Sequence, residues 1–288
     1  MNFLKTLFSP IAATMKFIQN HFKAMIFLLI LFLIFSPNEA ELIPPNLVKV
    51  KLEGVIMDAS KVVESLEKAR LDKNIKGVLF VVNSPGGAVP PSIEIMEAIK
   101  RLNAEKPVIA YAAGTIASGS YYASIYAKKI YANPGSMVGS IGVIMQGANY
   151  SELAQKIGIS AQTVKAGKFK EIGTPARKWK AYETAELEKV VNETYDLFVA
   201  DVSKARNLDP TNYKEFADAH IFTASQAKKV GLVDELGVGF DAENALVKLS
   251  GVKKPIWQKE DKLDSFMRQL SGETASYLGA YFSNLTMR

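Results

Sequence analysis

Two uninterrupted apolar runs of strand length, Gly77-Val-Leu-Phe-Val-Val82 and Pro107-Val-Ile-Ala-Tyr-Ala112, enclose a segment of helical pattern from Ser92 to about Leu102. A strand with one wet face alternates apolar and polar residues, so a strand that is apolar throughout has to be covered on both faces. Strand, helix and strand in that order argue for βαβ units. The fold class read from the sequence is therefore α/β, with stacked βαβ units and a mostly parallel sheet. Upstream, Val48-Lys-Val-Lys-Leu-Glu53 alternates with period two, as a half-buried strand does, and a helix is expected from Ser60 to about Arg70. Downstream, the pattern predicts a helix from Ser118 to Ala127, a short strand at Ile130-Tyr-Ala132 and another at Gly139-Ser-Ile-Gly-Val-Ile144. A short helix from Tyr150 to Ile157 precedes a long one from Thr184 to Arg206, whose expected buried stripe is Val190, Val191, Tyr195, Leu197 and Phe198. Thr223-Ala-Ser-Gln226 reads as a capping box, and residues 240–250 as a last helix.

The N-terminus follows different rules. Lys5, Lys16 and Lys23 precede the uncharged run from Ala24 to Ser36, after which come Pro37, Asn38 and Glu39. A full membrane span wants ~20 apolar residues. This run is shorter, but flanking lysines can snorkel to lengthen it. The long basic preface and the weak cleavage-site pattern around Asn38 and Ala40 favour an anchor over a cleaved signal peptide. The expected organisation is a cytoplasmic segment over 1–23, a membrane anchor over 24–40, one domain over 41–254 and a tail over 255–288. The lysines then stay cytoplasmic and the bulk of the chain is exported.

What remains of the 288 residues after the anchor is long enough for one sizeable core without covalent staples. Cysteine is absent, which excludes disulfides, thiolate metal sites and cysteine catalysis. His21 and His220, the two histidines, are too far apart in sequence to suggest a zinc site. Neither a metal nor a cofactor is expected. The net charge of +6 is dispersed, with no basic block interleaved with aromatics, so nucleic acid is a poor candidate partner.

The chemistry-bearing segment is Gly114-Thr-Ile-Ala-Ser-Gly-Ser-Tyr-Tyr122. Ser118, at the first turn of its expected helix, reads equally as a helix cap and as a nucleophile. A nucleophilic serine needs a base, and neither histidine is well placed to be one. A lysine kept neutral by burial is the alternative. Lys165-Ala-Gly-Lys-Phe-Lys-Glu171 offers Lys165, Lys168 and Lys170 as equal candidates on spacing, and a solvated basic loop reads as well. Asn83-Ser-Pro-Gly-Gly87 follows a buried strand, at the end where α/β sheets place their sites. Its glycines allow a sharp turn that presents bare N–H groups to a ligand oxygen.

Taken in order, Asn83-Ser-Pro-Gly-Gly87, Ala117-Ser-Gly-Ser-Tyr-Tyr122 and Lys165-Ala-Gly-Lys-Phe-Lys-Glu171 resemble the signal peptide peptidase A family, over about residues 48 to 250. The resemblance is to the short form, with one catalytic repeat, of the membrane-anchored Ser–Lys proteases related to the ClpP/crotonase fold. It implies Ser118 as nucleophile, Lys170 as general base, Ser140 as the hydroxyl that orients the lysine, and the amides of Gly87 and Gly119 as an oxyanion hole. It implies a serine endopeptidase that degrades cleaved signal peptides and similar apolar peptides, anchored by one N-terminal transmembrane helix in the inner membrane. Its catalytic domain would lie on the periplasmic side, with membrane lipid as a partner. It further implies a ring-like homo-oligomer, such as an octamer, in which the lysine of one subunit faces the serine of its neighbour. The family usually has glycine where this chain has Ser120, and a hydroxymethyl there is expected to narrow the pocket beside the nucleophile. Two other readings are an acyl-CoA enzyme of the crotonase fold and a non-catalytic membrane scaffold.

Overall fold

The structure, a computed structural model, describes residues 16–29 and 43–259. The chain divides into two compact units, Met1–Pro44 and Pro45–Arg288. In the first unit the described residues 16–29 are helical (α1). The expected transmembrane helix is corrected here: among the described residues, no helix is long and apolar enough to cross a membrane. The described part of α1 falls short of the ~20 apolar residues a span needs, and it carries Lys16, His21 and Lys23. Residues 30–40 of the expected anchor lie outside the described residues. The single-pass topology, the periplasmic placement and the lipid contact all rested on that helix and fall with it.

The second unit begins with strand β1 (Leu47–Ile56) and helix α2 (Ser60–Leu71), then β2 (Gly77–Gly87) and α3 (Val89–Glu105), then β3 (Val108–Ala117) and the short α4 (Gly119–Ser124). Strands β4 (Lys129–Ala132) and β5 (Met137–Gly139) lead to α5 (Ser151–Lys156) and the long α6 (Ala181–Arg206). A 3-10 turn at Pro210–Glu215, β6 (Ile221–Thr223), α7 (Ala224–Lys229), β7 (Glu235–Leu236) and α8 (Gly239–Ser250) complete it. The seven-stranded sheet runs β1-β2-β3-β4-β7 and is parallel along that path. β5 pairs with the far end of β3, and β6 runs antiparallel to β5.

The wholly apolar strands are covered on both sides. Val78, Phe80 and Val82 of β2 face Leu66, Ile95, Ile99 and Leu102 of α2 and α3 in one core. Leu79, with Ile109 and Tyr111 of β3, faces Ala242 and Leu246 of α8 in a second. The capping box closes as its sequence requires: Thr223 Oγ1 accepts from the Gln226 N–H, and Gln226 Oε1 accepts from the Thr223 N–H.

Two local expectations fail. The strand expected over 139–144 ends at Gly139, and residues 141–150 carry no regular structure. The stripe of α6 holds only in part: Phe198 is buried, with Val199 and Val202, and Tyr195 packs against the core, whereas Val190 and Leu197 are exposed. The reason is that α6 reaches the core only through its C-terminal half.

That half is fixed by charge. Arg206 donates to Asp234 Oδ1 at 2.9 Å and to the Gly231 carbonyl at 3.2 Å, with its side chain 8% exposed. Asp234 Oδ2 accepts the Ile130 N–H of β4 at 2.7 Å. Removing the carboxylate strands a buried guanidinium and a backbone donor together. Asp234→Ala should therefore cost about 2–3 kcal/mol in urea unfolding. By contrast Lys68→Ala, which breaks an exposed pair with Glu64, should cost under about 1 kcal/mol.

Candidate active site

The two glycine-bearing segments meet where β2 and β3 lose register. Val82 pairs with Ala112, but the next pair is Ser84 with Ile116, so β3 carries extra residues opposite Asn83. The slip leaves backbone groups without ladder partners, and side chains supply them. Asn83 Oδ1 accepts the Thr115 N–H at 3.1 Å. The slip also brings the end of β2 against the end of β3, backbone to backbone. Gly86, at φ +94°, holds a left-handed conformation, and a Cβ there would stand 2.6 Å from the Gly119 nitrogen and 2.9 Å from Ser118 Cβ. A Cβ on Gly87 would stand 2.1 Å from the Ile56 carbonyl oxygen. Only glycine fits either position.

Ser118 occupies the elbow between β3 and α4, at φ 53° and ψ −126°. Such a backbone costs a non-glycine residue about 1–3 kcal/mol and is a mark of functional turns. The serine stands at the N-cap position of α4, yet its hydroxyl makes no capping bond. That removes the bland reading of this residue. Its N–H donates to the Gly139 carbonyl at 2.8 Å, which sets Ser140 beside the elbow. Ser140 is half-buried and also left-handed, at φ 49°, with its N–H donating to the His220 carbonyl at 2.7 Å.

A small cavity of about 20 Å³ opens at the elbow, lined by Gly87, Ser118 and Gly119 together with Tyr122, Val143 and Phe198. The Gly87 nitrogen lies 3.3 Å from the point where a Gly119 side chain would begin, so the two amides are neighbours. Tyr122 stacks on Phe198 with ring centroids 4.3 Å apart, and its hydroxyl donates to Asp201 Oδ2 at 2.5 Å. Burial, then that bond, pushes the phenol far above its ordinary range, so Tyr122 stays neutral. Sequence reading left Tyr122 and Val143 without a role. The only advance signal for Phe198 was its place in the apolar stripe of α6.

Ser120 does not narrow this cavity. Its side chain is fully buried and points into the fold, where Oγ accepts the Ala117 N–H at 2.8 Å. The same oxygen lies 2.7 Å from the Ser84 carbonyl and 2.9 Å from that of Ala117.

Lys170 is not brought to Ser118 within one chain. It is exposed, in a turn closed by its own N–H to the Gly167 carbonyl, and it does not line the cavity. The other two lysines are engaged: Lys165 pairs with Glu171 at 3.1 Å, and Lys168 lies over the rings of Phe169 and Tyr182. Among the described residues, Lys170 alone of the three has neither an ion pair nor a ring contact. Its loop is nevertheless held in place. Arg177 donates to Glu171 at 2.8 Å and to both oxygens of Glu183 at 2.8 Å, while Glu183 accepts the Lys180 N–H and so caps α6. Among the described residues, no cluster of His, Cys, Asp or Glu could hold a metal ion.

The Arg177 hydrogen bond, then the Lys180 N–H, holds the Glu183 carboxyl down to about 2. Its partner Glu171 is lowered by the same guanidinium and then by Lys165. A carboxyl depressed on folding contributes stability that is present above its ordinary range near ~4.3 and is lost as pH falls through the folded value. Trp179 reports on this loop, since its indole donates to the Thr174 carbonyl at 3.1 Å. In a Trp257→Phe background, Trp179 emission should shift red as pH falls from ~4.5 toward 2. Arg177→Met should move that shift to higher pH. A flat emission profile in both proteins would count against the network.

The model of peptidase family S49 matches residues 100–253. An inferred protease of Methanocaldococcus jannaschii is 43% identical over 198 residues, covering 69% of this chain and 64% of that one. An inferred signal peptide peptidase SppA of Enterococcus faecium is 35% identical over 256 residues, covering 83% of this chain and 71% of that one. Among solved structures, a ClpP1 mutant of Listeria monocytogenes is similar with a TM-score of 0.47 at 17% identity, covering 67% of this chain and 93% of that one. That likeness is too distant to carry the ClpP/crotonase assignment, so the fold class is corrected to a mixed α/β fold built on one sheet. The acyl-CoA and scaffold readings fall with the family match, and so does the membrane anchoring attached to the family resemblance, for want of a spanning helix among the described residues. The chain belongs to peptidase family S49, as an enzyme of the serine endopeptidase class.

Proposed function

We propose that the chain hydrolyses extended apolar peptides with small side chains at the cleaved residue, using Ser118 as nucleophile. The observation that carries this reading is the Ser118 elbow: a strained backbone, a hydroxyl that caps nothing, and the amides of Gly87 and Gly119 beside it. Ser118 Oγ attacks the peptide carbonyl and its proton passes to the neutral amine of Lys170. The carbonyl oxygen, now negative, is held by the Gly87 and Gly119 N–H groups. Collapse breaks the C–N bond, and Lys170 returns the proton to the leaving amine. Water then attacks the Ser118 ester and gives a proton to the lysine, which passes it to Ser118 Oγ as the C–O bond breaks and the acid leaves. Ser140, beside the elbow, is assigned the hydroxyl that accepts a hydrogen bond from the lysine and orients it.

Lys170 reaches Ser118 from a second copy of the chain. Support comes from its exposure on a segment rich in uncovered apolar residues: Ile144, Leu153, Ile157, Ile159 and Val164 are all exposed, and α5 buries none of its residues. An apolar surface of that kind marks a contact with another protein.

Ser118→Ala and Lys170→Ala should each abolish cleavage of an apolar peptide. Co-assembly of the two dead variants in equal amounts should restore about a quarter of wild-type activity by random pairing of intact groups across subunits. Failure to recover would sink the shared site, whereas an active Ser118→Ala protein would sink the whole reading. The cavity of about 20 Å³ also fixes a preference, since one methylene in an apolar pocket is worth about 1–3 kcal/mol. Substrates with Ala at the cleaved residue should be preferred to those with Leu. Phe198→Ala should reverse that order, as read from kcat/KM for the matched pair.

A further inference from the structure

The Ser120 hydroxyl takes no part in the chemistry above, yet it lies where both halves of the oxyanion site can be tied together. Its oxygen accepts the N–H of Ala117, the residue immediately before the nucleophile. Its single proton goes either to the Ser84 carbonyl at 2.7 Å or to the Ala117 carbonyl at 2.9 Å. Ser84 lies three residues before Gly87, is itself fully buried, and its own Oγ accepts the Gly86 N–H at 3.1 Å. One side chain therefore connects the elbow of β3 to the glycine turn of β2 just past the register slip, where Ser84 pairs with Ile116. Both oxyanion amides hang from the two strands it joins: Gly119 one residue past the elbow, Gly87 at the end of the turn.

We infer that Ser120 is a positioning residue that sets the spacing between the Gly87 and Gly119 amides, and so the fit of the site to the tetrahedral oxyanion rather than to bound peptide. The inference rests on the proposed nucleophile and oxyanion hole. A donor displaced by a fraction of an ångström bonds the ground state nearly as well, but loses much of its hold on developing charge.

The test compares Ser120→Ala with Ser124→Ala in the full chain. Ser124 is equally buried on the same helix and donates to the Ser120 carbonyl at 2.8 Å, but it touches neither glycine turn nor elbow. Rates are expressed per site labelled by a fluorophosphonate, so that a misfolded fraction drops out. Ser120→Ala should lower kcat about 10- to 100-fold with KM changed less than about threefold. It should weaken a peptide aldehyde, whose hemiacetal oxygen occupies the hole, by the same factor, while leaving a product peptide bound as before. Ser124→Ala should lower the melting temperature comparably and leave kcat and aldehyde affinity unchanged. Ser120→Cys, which keeps a weak donor and acceptor, should recover part of the loss.

The inference is overturned if Ser120→Ala keeps wild-type kcat per labelled site, or if aldehyde and product peptide weaken equally. It is also overturned if Ser124→Ala reproduces the kinetic loss. Ser118→Ala separates this outcome from failure of the underlying reading: residual cleavage by that variant dismisses the nucleophile, and with it any role for Ser120 in holding the hole.

Discussion

The site depends on a close approach of two backbones that no side chain can occupy. Where β2 and β3 slip out of register, Gly86 presses against Ser118 and Gly119, and Gly87 against Ile56 of β1, with room for hydrogen atoms only. Two parallel strands in register would stay ~4.8 Å apart with their amides consumed by the ladder. The slip interrupts that ladder. It also strands the Thr115 N–H, which is why Asn83 carries a polar side chain into this region. The strain at Ser118 is held by the same arrangement, since its N–H is pinned to Gly139 while Ala117 is pinned to Ser120.

The two cores keep this arrangement rigid. β2 and β3 are central strands, buried by α2 and α3 on one face and by α8 on the other. An elbow at the end of such strands inherits their fixed position. The short edge elements could not offer this, because β5, β6 and β7 are two or three residues long. The proposed nucleophile and oxyanion donors thus sit at the ends of strands buried on both faces, whereas the proposed base is exposed.

Legibility in the sequence followed the same division. Continuous apolar runs revealed β2 and β3, because burial on both faces leaves a composition that few other structures share. The capping box at Thr223 was readable because its bonds are local. By contrast, the slip between Val82 and Ser84 leaves no mark in either strand alone; it exists only in their pairing. Ser120 was misread for that reason, as a group intruding on the pocket rather than one turned away into the slip. The buried stripe of α6 was misplaced because periodicity identifies an apolar face without saying which turns of the helix meet the core. The strand expected through Ile144 stops at Gly139: Ile141 is buried, but Ile144 is exposed on the single chain. The anchor expectation rested on an apolar run shorter than a span, so it could not stand without a helix long enough to carry it.

The exposure of Lys170 and the order of its loop are two sides of one design. An amine intended to act as a base has to be dry in the working particle, yet burying it within its own chain would cost folding stability in every isolated copy. Here the loop is instead fixed by charges that remain satisfied in water: Arg177 binds Glu171, next to Lys170, and Glu183, at the start of α6. The lysine is thus presented at a fixed place without being desolvated. Its two neighbours are drawn off, Lys165 to Glu171 and Lys168 to the rings of Phe169 and Tyr182, so a single amine is left to present. On the proposed mechanism, desolvation is then a property of assembly rather than of folding. The proposed base would be gained only where a neighbouring surface closes over it.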